Sequence, residues 1–305
     1  MRQIVGKLVG QIALVTCGFG LVMGAAPAAE LARKVVLIGG VKSEKGVGLH
    51  DYPNGVRALK AILESSPDAR GRVEVVAYPD GWPADAHALD DAATVVWYFD
   101  GERHHPLLDP SKRAGFEAAM RRGVGLVTLH QASTVPVDDD LGLARWTGAV
   151  RPAMFDRTTQ WAELVPAAPT VAAARGIGAF AYRDEFYPTF RAAPADAGTL
   201  VPVLSAELQP QYRDGHAVLD DHAETTPVAW GYERADGGRS FVYSGAHYLT
   251  ALDQPEVRRM LLNAVFWTAG LDVPQTGVLF GVPTAAADLQ RRAAAAAGAP
   301  GAAVP

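Results

Sequence analysis

Residues 34–41 read KVVLIGGV, an unbroken apolar run dominated by β-branched side chains. Such a run has no polar face to offer water. It suits a strand covered on both sides, as parallel strands between two helical layers are. Residues 72–78 (RVEVVAY), 93–99 (ATVVWYF) and 125–129 (GLVTL) read as three more strands. Between them, Val56, Leu59, Ile62 and Leu63 share one face of a helix predicted over 53–66. A second helix is predicted from Asp109 to Arg122, with Pro110 in its first turn. The order β-α-β-β-α-β predicts an α/β fold built on a doubly wound, mostly parallel sheet. The second half is less regular. Strands are predicted at 159–165, 186–190, 199–204, 227–232 and 239–244, then a helix over 254–269 with Val257, Met260, Leu261, Val265 and Phe266 inward. No repeat or linker interrupts 30–282, which reads as one domain.

The two ends read differently. Arg2 and Lys7 precede an apolar stretch over 8–23, followed by the small residues Ala25, Ala26, Ala28 and Ala29. This is the pattern of a cleavable export signal over 1–29, with cleavage after Ala28 or Ala29. It predicts a periplasmic or secreted protein with no stable membrane insertion once the signal is removed. Cys17 is the one cysteine. Removal of the signal therefore excludes disulfides, thiolate metal sites and a cysteine nucleophile together. Residues 283–305, rich in Ala, Gly and Pro, read as a flexible tail. The net charge of −5 is spread along the chain. No basic stripe or polybasic cluster suggests nucleic acid or anionic lipid as a partner.

Ligands of open α/β sheets gather beyond the carboxyl ends of the strands. Functional side chains follow several predicted strands here. His50, Asp51 and Tyr52 come after the first. Asp100, Gly101, Glu102, Arg103, His104 and His105 come after the third. His130 and Gln131 come directly after the fourth, and His247 and Tyr248 follow 239–244. Asp184 and Glu185, with Tyr187 just beyond, form an acidic pair in what reads as a loop. Any one histidine in such a place is more often structural than chemical, but histidines at four strand ends point to a shared site. In an extended segment, neighbours alternate sides, so only one of His104 and His105, and one of Asp184 and Glu185, is expected to face inward. His87, His216 and His222 read as solvated. There is no G-x-S-x-G elbow, no G-x-x-x-x-G-K-[ST] loop and no H-E-x-x-H motif, and the glycines near the first strand form no dinucleotide fingerprint. No nucleotide cofactor is expected.

The run Gly123-Val124-Gly125-Leu126-Val127-Thr128-Leu129-His130 resembles a strand of the ThuA-like (trehalose utilisation) family. His50-Asp51-Tyr52-Pro53-Asn54-Gly55 resembles its early histidine element. Gly81-Trp82-Pro83, Asp100-Gly101 with His105-Pro106, Asp184-Glu185-Phe186-Tyr187, Pro227-Val228-Ala229-Trp230, Ser244-Gly245-Ala246-His247 and 262–270 keep the same order. The resemblance covers 34–270. It departs at Ala172-Ala173-Ala174-Arg175-Gly176, where the family often has His-Pro-Ile before glycine, and at Ala246, where a second glycine is common. The resemblance implies a class I glutamine amidotransferase-like (flavodoxin-like) fold, with His130 near the place of the amidotransferase cysteine, so cysteine-dependent glutaminase chemistry is excluded. It also implies sugar utilisation, a keto-sugar or glycoside as substrate, and in some members a divalent metal.

On that footing His50, His130, His247, Asp184 and Glu185 are the candidate catalytic residues of a sugar-active hydrolase, lyase or isomerase. They would act as acid and base on a sugar carbon beside a carbonyl, or the three histidines would hold an ion such as Zn²⁺. Tyr52, Asp100, Gly101, His105, Gln131, Tyr187 and Tyr248 are the candidate substrate-binding residues, with Trp97 and Tyr98 as further rings for a sugar face. Two other readings stand beside this one. The first is a non-catalytic carbohydrate-binding or accessory domain. The second is a hydrolase with Ser133, Thr134 or Ser244 as nucleophile.

Overall fold

The computed structural model describes residues 31–46, 48–167, 171–209, 212–213, 216–217 and 223–281. The signal over 1–29, the tail over 283–305 and His222 lie outside the described residues. The main sheet has nine strands: β1 (Arg33–Gly39), β2 (Val73–Tyr78), β3 (Ala92–Tyr98), β4 (Gly125–Leu129), β5 (Thr158–Pro166), β6 (Phe180–Phe186), β7 (Gly198–Leu208), β8 (Glu224–Arg234) and β9 (Arg239–Tyr243). Three helices pack on it: α1 (Tyr52–Ser65), α2 (Pro110–Arg121) and α3 (Pro255–Thr268). Strand order is β2-β1-β3-β4-β9-β8-β7-β5-β6. The pairings from β2 across to β9 are parallel. Those from β9 out to β6 are antiparallel. The fold is thus α/β with a mixed sheet around a parallel core.

The apolar runs explain the parallel half. Val35 and Leu37 of β1 pack, with Val96 and Val127, against Val56, Leu59 and Ile62 of α1 and Val257, Leu261 and Val265 of α3. Val36 and Ile38 turn to the other face and pack, with Val95, Trp97 and Leu126, against Phe116 and Met120 of α2. Each such fully buried side chain contributes about 1.5–3 kcal/mol relative to exposure. α2 begins where expected. The Asp109 carboxylate accepts the backbone N–H of Ser111 at 2.9 Å and of Lys112 at 3.4 Å, and so occupies two donors the helix leaves unpaired.

The antiparallel half departs from expectation in one strand. The strand expected at 186–190 lies instead at Phe180–Phe186, so Asp184 and Glu185 are strand residues and not loop residues. Its sequence, FAYRDEF, masks the alternation, because polar side chains occupy positions that face the interior. β7 and β8 run longer than expected and form a long antiparallel pair, with irregular register near Pro202. Among the described residues no helix is long and apolar enough to cross a membrane.

Candidate metal centre

Three turns at the carboxyl ends of the parallel strands carry the three histidines. His130 is the first residue after β4 and opens a short 3-10 turn, His130–Ser133. Its φ is +52°, a left-handed conformation that non-glycine residues rarely adopt. His50 has φ +39°, and Ala246, which precedes His247, has φ +73°. Strain of this kind costs about 1–3 kcal/mol per residue and persists only where surrounding contacts impose it. The contacts are plain. His50 N–H donates to the His247 carbonyl at 3.2 Å, and Leu249 N–H to the Gly48 carbonyl at 2.7 Å, which binds the first and last turns together. The Asp184 carboxylate accepts the backbone N–H of Ala246 at 2.6 Å and of His247 at 3.1 Å. The Tyr98 hydroxyl donates to the Ala246 carbonyl. Gly245 is needed for this approach: a Cβ there would stand 2.5 Å from the Tyr243 ring and 3.0 Å from Asp184 Oδ2.

The imidazoles converge. His50 Nε2 and His130 Nε2 are 3.1 Å apart, His130 Nε2 and His247 Nδ1 3.2 Å, and His247 Nδ1 and His50 Nε2 2.9 Å. All three residues are buried. The Ser244 carbonyl, 2.8 Å from His130 Nδ1, can only accept, so that nitrogen carries the proton and Nε2 presents its lone pair. The outer nitrogens of the other two face acid. His50 Nδ1 lies 3.2 Å from the Ser43 hydroxyl and 3.4 Å from Glu44 Oε1, and His247 Nε2 lies 4.0 Å from Glu44 Oε2. An outer partner that can only accept, as the Ser244 carbonyl does for His130, fixes the tautomer and aims the inner lone pair. Burial above all lowers the three imidazoles' pKa values: to about 4 for His50, helped by Arg157; to about 3 for His247, helped by His50; and well below the usual range for His130. They are neutral at neutral pH, as metal ligation requires.

The spacing fits an ion. Two nitrogens bound at about 2.0–2.1 Å to one ion stand about 2.9 Å apart at a right angle and about 3.3 Å apart at the tetrahedral angle. The observed edges fall between these limits. Among the described residues this is the one group of three or more histidine, cysteine or acidic side chains with ligand atoms so gathered.

A carboxylate and a phenol complete the surround. Glu185 is buried, and its Oε1 has no hydrogen-bond partner and lies 3.7 Å from His130 Nε2. Its Oε2 is 3.7 Å from the Arg157 guanidinium. Burial raises the Glu185 pKa, and Arg157 and Arg151 oppose that rise. The Tyr187 hydroxyl lies 3.2 Å from His130 Nε2, with its ring stacked on the imidazole. The buried Arg151 covers that tyrosine, its guanidinium 4.4 Å from the ring centroid. Tyr52 stacks on His50 and donates to Asp100 Oδ1 at 3.1 Å. Tyr248 stands edge-on to His247, and Gln131 is buried with Oε1 unpartnered.

Several expected residues take other places. Asp184 spends its oxygens on backbone N–H groups, so it positions the His247 turn and does not face the imidazoles' inner nitrogens. Both members of the acidic pair are buried, one on each side of β6, because the strand is covered on both sides there. His105 is buried against Trp97 and Phe99, and its Nδ1 accepts the Leu107 N–H at 3.1 Å. It belongs to the core under α2, while His104 is exposed. Trp97 is core in the same nest. Gly101 serves backbone packing: a Cβ would meet the Gln131 carbonyl oxygen at 2.2 Å. Ser133 donates to the His130 carbonyl at 2.9 Å, the hydroxyls of Ser244 and Thr134 have no hydrogen-bond partner, and none of these three hydroxyls bonds to an imidazole; the serine hydroxyl that does is Ser43, 3.2 Å from His50 Nδ1. His87 and His216 are exposed, as expected. Glu44, Arg151 and Arg157 escaped the sequence reading as site residues. Arg151, a lone cation between the apolar Val150 and Pro152, was the one signal available.

The family model described as "ThuA: Trehalose utilisation" matches residues 36–268. A putative ThuA-like protein of Bacteroides uniformis superposes with a TM-score of 0.56 at 12% identity, covering 85% of this chain and 98% of its own. One from Parabacteroides merdae superposes with a TM-score of 0.55 at 14% identity, covering 83% and 98%. These likenesses concern the fold alone. A comparison with curated proteins finds no match.

Proposed function

The chain belongs to the ThuA family, and from that premise we propose that it is an exported enzyme of carbohydrate utilisation acting on a glycoside or keto-sugar, with a divalent ion such as Zn²⁺ held by His50, His130 and His247. The observation that carries the reading is the convergence of three neutral imidazole nitrogens within 3.2 Å of one another. The family's link to trehalose utilisation supports the substrate class, and the pattern of residues 1–29 supports export. When bound, such an ion polarises a keto or hydroxyl oxygen.

The chain's own groups supply the rest. Glu185 Oε1, unpartnered beside His130, is the base that takes a proton from the substrate and returns it. Arg157 and Arg151 stand near that carboxylate and oppose the rise in its pKa that burial causes. The Tyr187 O–H is placed to donate to a substrate oxygen. Asp100, already bonded to Tyr52, accepts from sugar hydroxyls, and Tyr248 walls the outer side. Asp184 acts through the His247 turn as a positioning residue.

Elemental analysis of the purified full chain and its His130→Ala variant, after incubation with zinc and desalting, tests the reading. About one zinc per chain in the wild type and little in the variant supports it. Absence of bound metal in both removes the metal. Turnover on keto-glycosides that falls in Glu185→Gln while sugar binding persists supports the enzyme. Sugar binding with no turnover in the wild type assigns the chain to an accessory binding role instead.

A further inference from the structure

β5 and β6 pair as an antiparallel hairpin in which Thr159 stands opposite Glu185 and Trp161 opposite Arg183. Side chains two apart on a strand share a face. The face that delivers Glu185 to the imidazoles therefore continues with Arg183 and Trp161. Arg157, on the same side of the segment entering β5, confirms the orientation, because its guanidinium meets Glu185. The step between the two cross-strand pairs is about 7 Å. Exposure rises along it, from 6% at Glu185 to 54% at Trp161. Trp161 is the one aromatic among the exposed large hydrophobic side chains of the described residues. The wall between is continuous. Arg183 Nη1 is 3.4 Å from the Tyr248 hydroxyl, its guanidinium lies 5.8 Å from that ring's centroid, and the ring meets His247 edge-on at 4.7 Å.

An indole face held open to solvent beside a guanidinium matches the chemistry of a sugar ring. The ring's C–H face lies on the indole and its hydroxyls accept from the guanidinium. We propose that Trp161 and Arg183 form an outer sugar subsite, so that the protein takes a glycoside of at least two rings, with the second ring stacked on Trp161. This rests on the reading of the histidine cluster as part of a sugar site. The subsite explains why a polar, half-exposed strand face is built directly onto the catalytic carboxylate. It also makes the reacting sugar the one nearest Glu185 and the departing or retained neighbour the one on the indole.

The test is calorimetric titration of the zinc-incubated full chain with trehalose and, separately, with methyl α-glucoside, in the wild type, Trp161→Ala and Trp161→Phe. The expected result is trehalose binding weakened about tenfold in Trp161→Ala, most of it recovered in Trp161→Phe, and methyl α-glucoside unchanged in both. Equal weakening of the two sugars, or unchanged trehalose binding, overturns the subsite and leaves the inner sugar site standing. A wild type that binds neither sugar overturns the inner site and the subsite with it. An altered oligomeric state in Trp161→Ala with intact sugar affinities assigns this face to a second copy of the chain and overturns the proposal.

Discussion

The parallel and antiparallel halves of the sheet build the site in different ways. The parallel half contributes side chains from the turns beyond its strand ends: His50 after β1, His130 after β4 and His247 after β9. Two of those turns place the histidine itself at positive φ, and the third does so one residue before it. The antiparallel half contributes side chains from a strand face: Glu185, Arg183 and Trp161 on the β5–β6 hairpin. Turns behind a rigid core can hold a tight cluster of imidazoles. A pleated face instead spaces its groups at regular intervals, as an elongated substrate requires. On the proposed function the labour divides: the parallel half holds the ion and the antiparallel half the sugar.

That division can be broken by substitution. The largest effect is expected for His130→Ala, which leaves two imidazoles; metal should fall from about one to below about a tenth per chain by elemental analysis. Next comes Glu185→Gln. It should cost about 10²–10⁴ in turnover with metal content unchanged, and a loss of metal in this variant would merge the two halves' roles. Asp184→Asn joins the halves, since the carboxylate lies on β6 and the turn it holds follows β9. It should weaken metal affinity about 10–100-fold, read by competition with a chelator, while the chain stays folded.

The smallest effect concerns the core away from the site. Burial holds the His105 imidazole down at about 3, against 6.5 for the free side chain. The unfolded chain therefore takes up the proton first as pH falls, and His105 costs stability progressively from about pH 6.5 down to about pH 3. At pH 4.5 the loss is about 2–3 kcal/mol. His105→Asn, which keeps an acceptor for the Leu107 N–H, should flatten the fall in denaturant midpoint between pH 7 and pH 4.5 without changing metal content.

The same contrast explains what the sequence reveals. β1, β3 and β4 are legible because both faces are buried, so their apolar runs are continuous. His130 is legible because it stands directly beyond such a run, and His50 and His247 because each lies in the segment that follows a buried strand, β1 and β9. β6 is not, because Asp184 is buried against a neighbouring backbone and Glu185 against the imidazoles, so polar side chains overwrite the alternation. Trp161 hides among the core aromatics of the chain until cross-strand register shows which face it shares. Arg151, Arg157 and Glu44 reach the site through tertiary packing that no local pattern records. His105 misleads in the other direction: the polar run Glu102-Arg103-His104-His105 looks like a site, while Trp97 and Phe99, which bury the last of these, lie on the preceding strand segment.

The most direct test of the central claim is the X-ray absorption spectrum at the zinc K-edge of the zinc-loaded chain, compared with that of His247→Ala. The account predicts three imidazole nitrogens at about 2.0–2.1 Å with oxygen completing the shell, and a weakened imidazole signal in the variant. A shell of oxygen alone, or an imidazole signal that His247→Ala leaves intact, would contradict it.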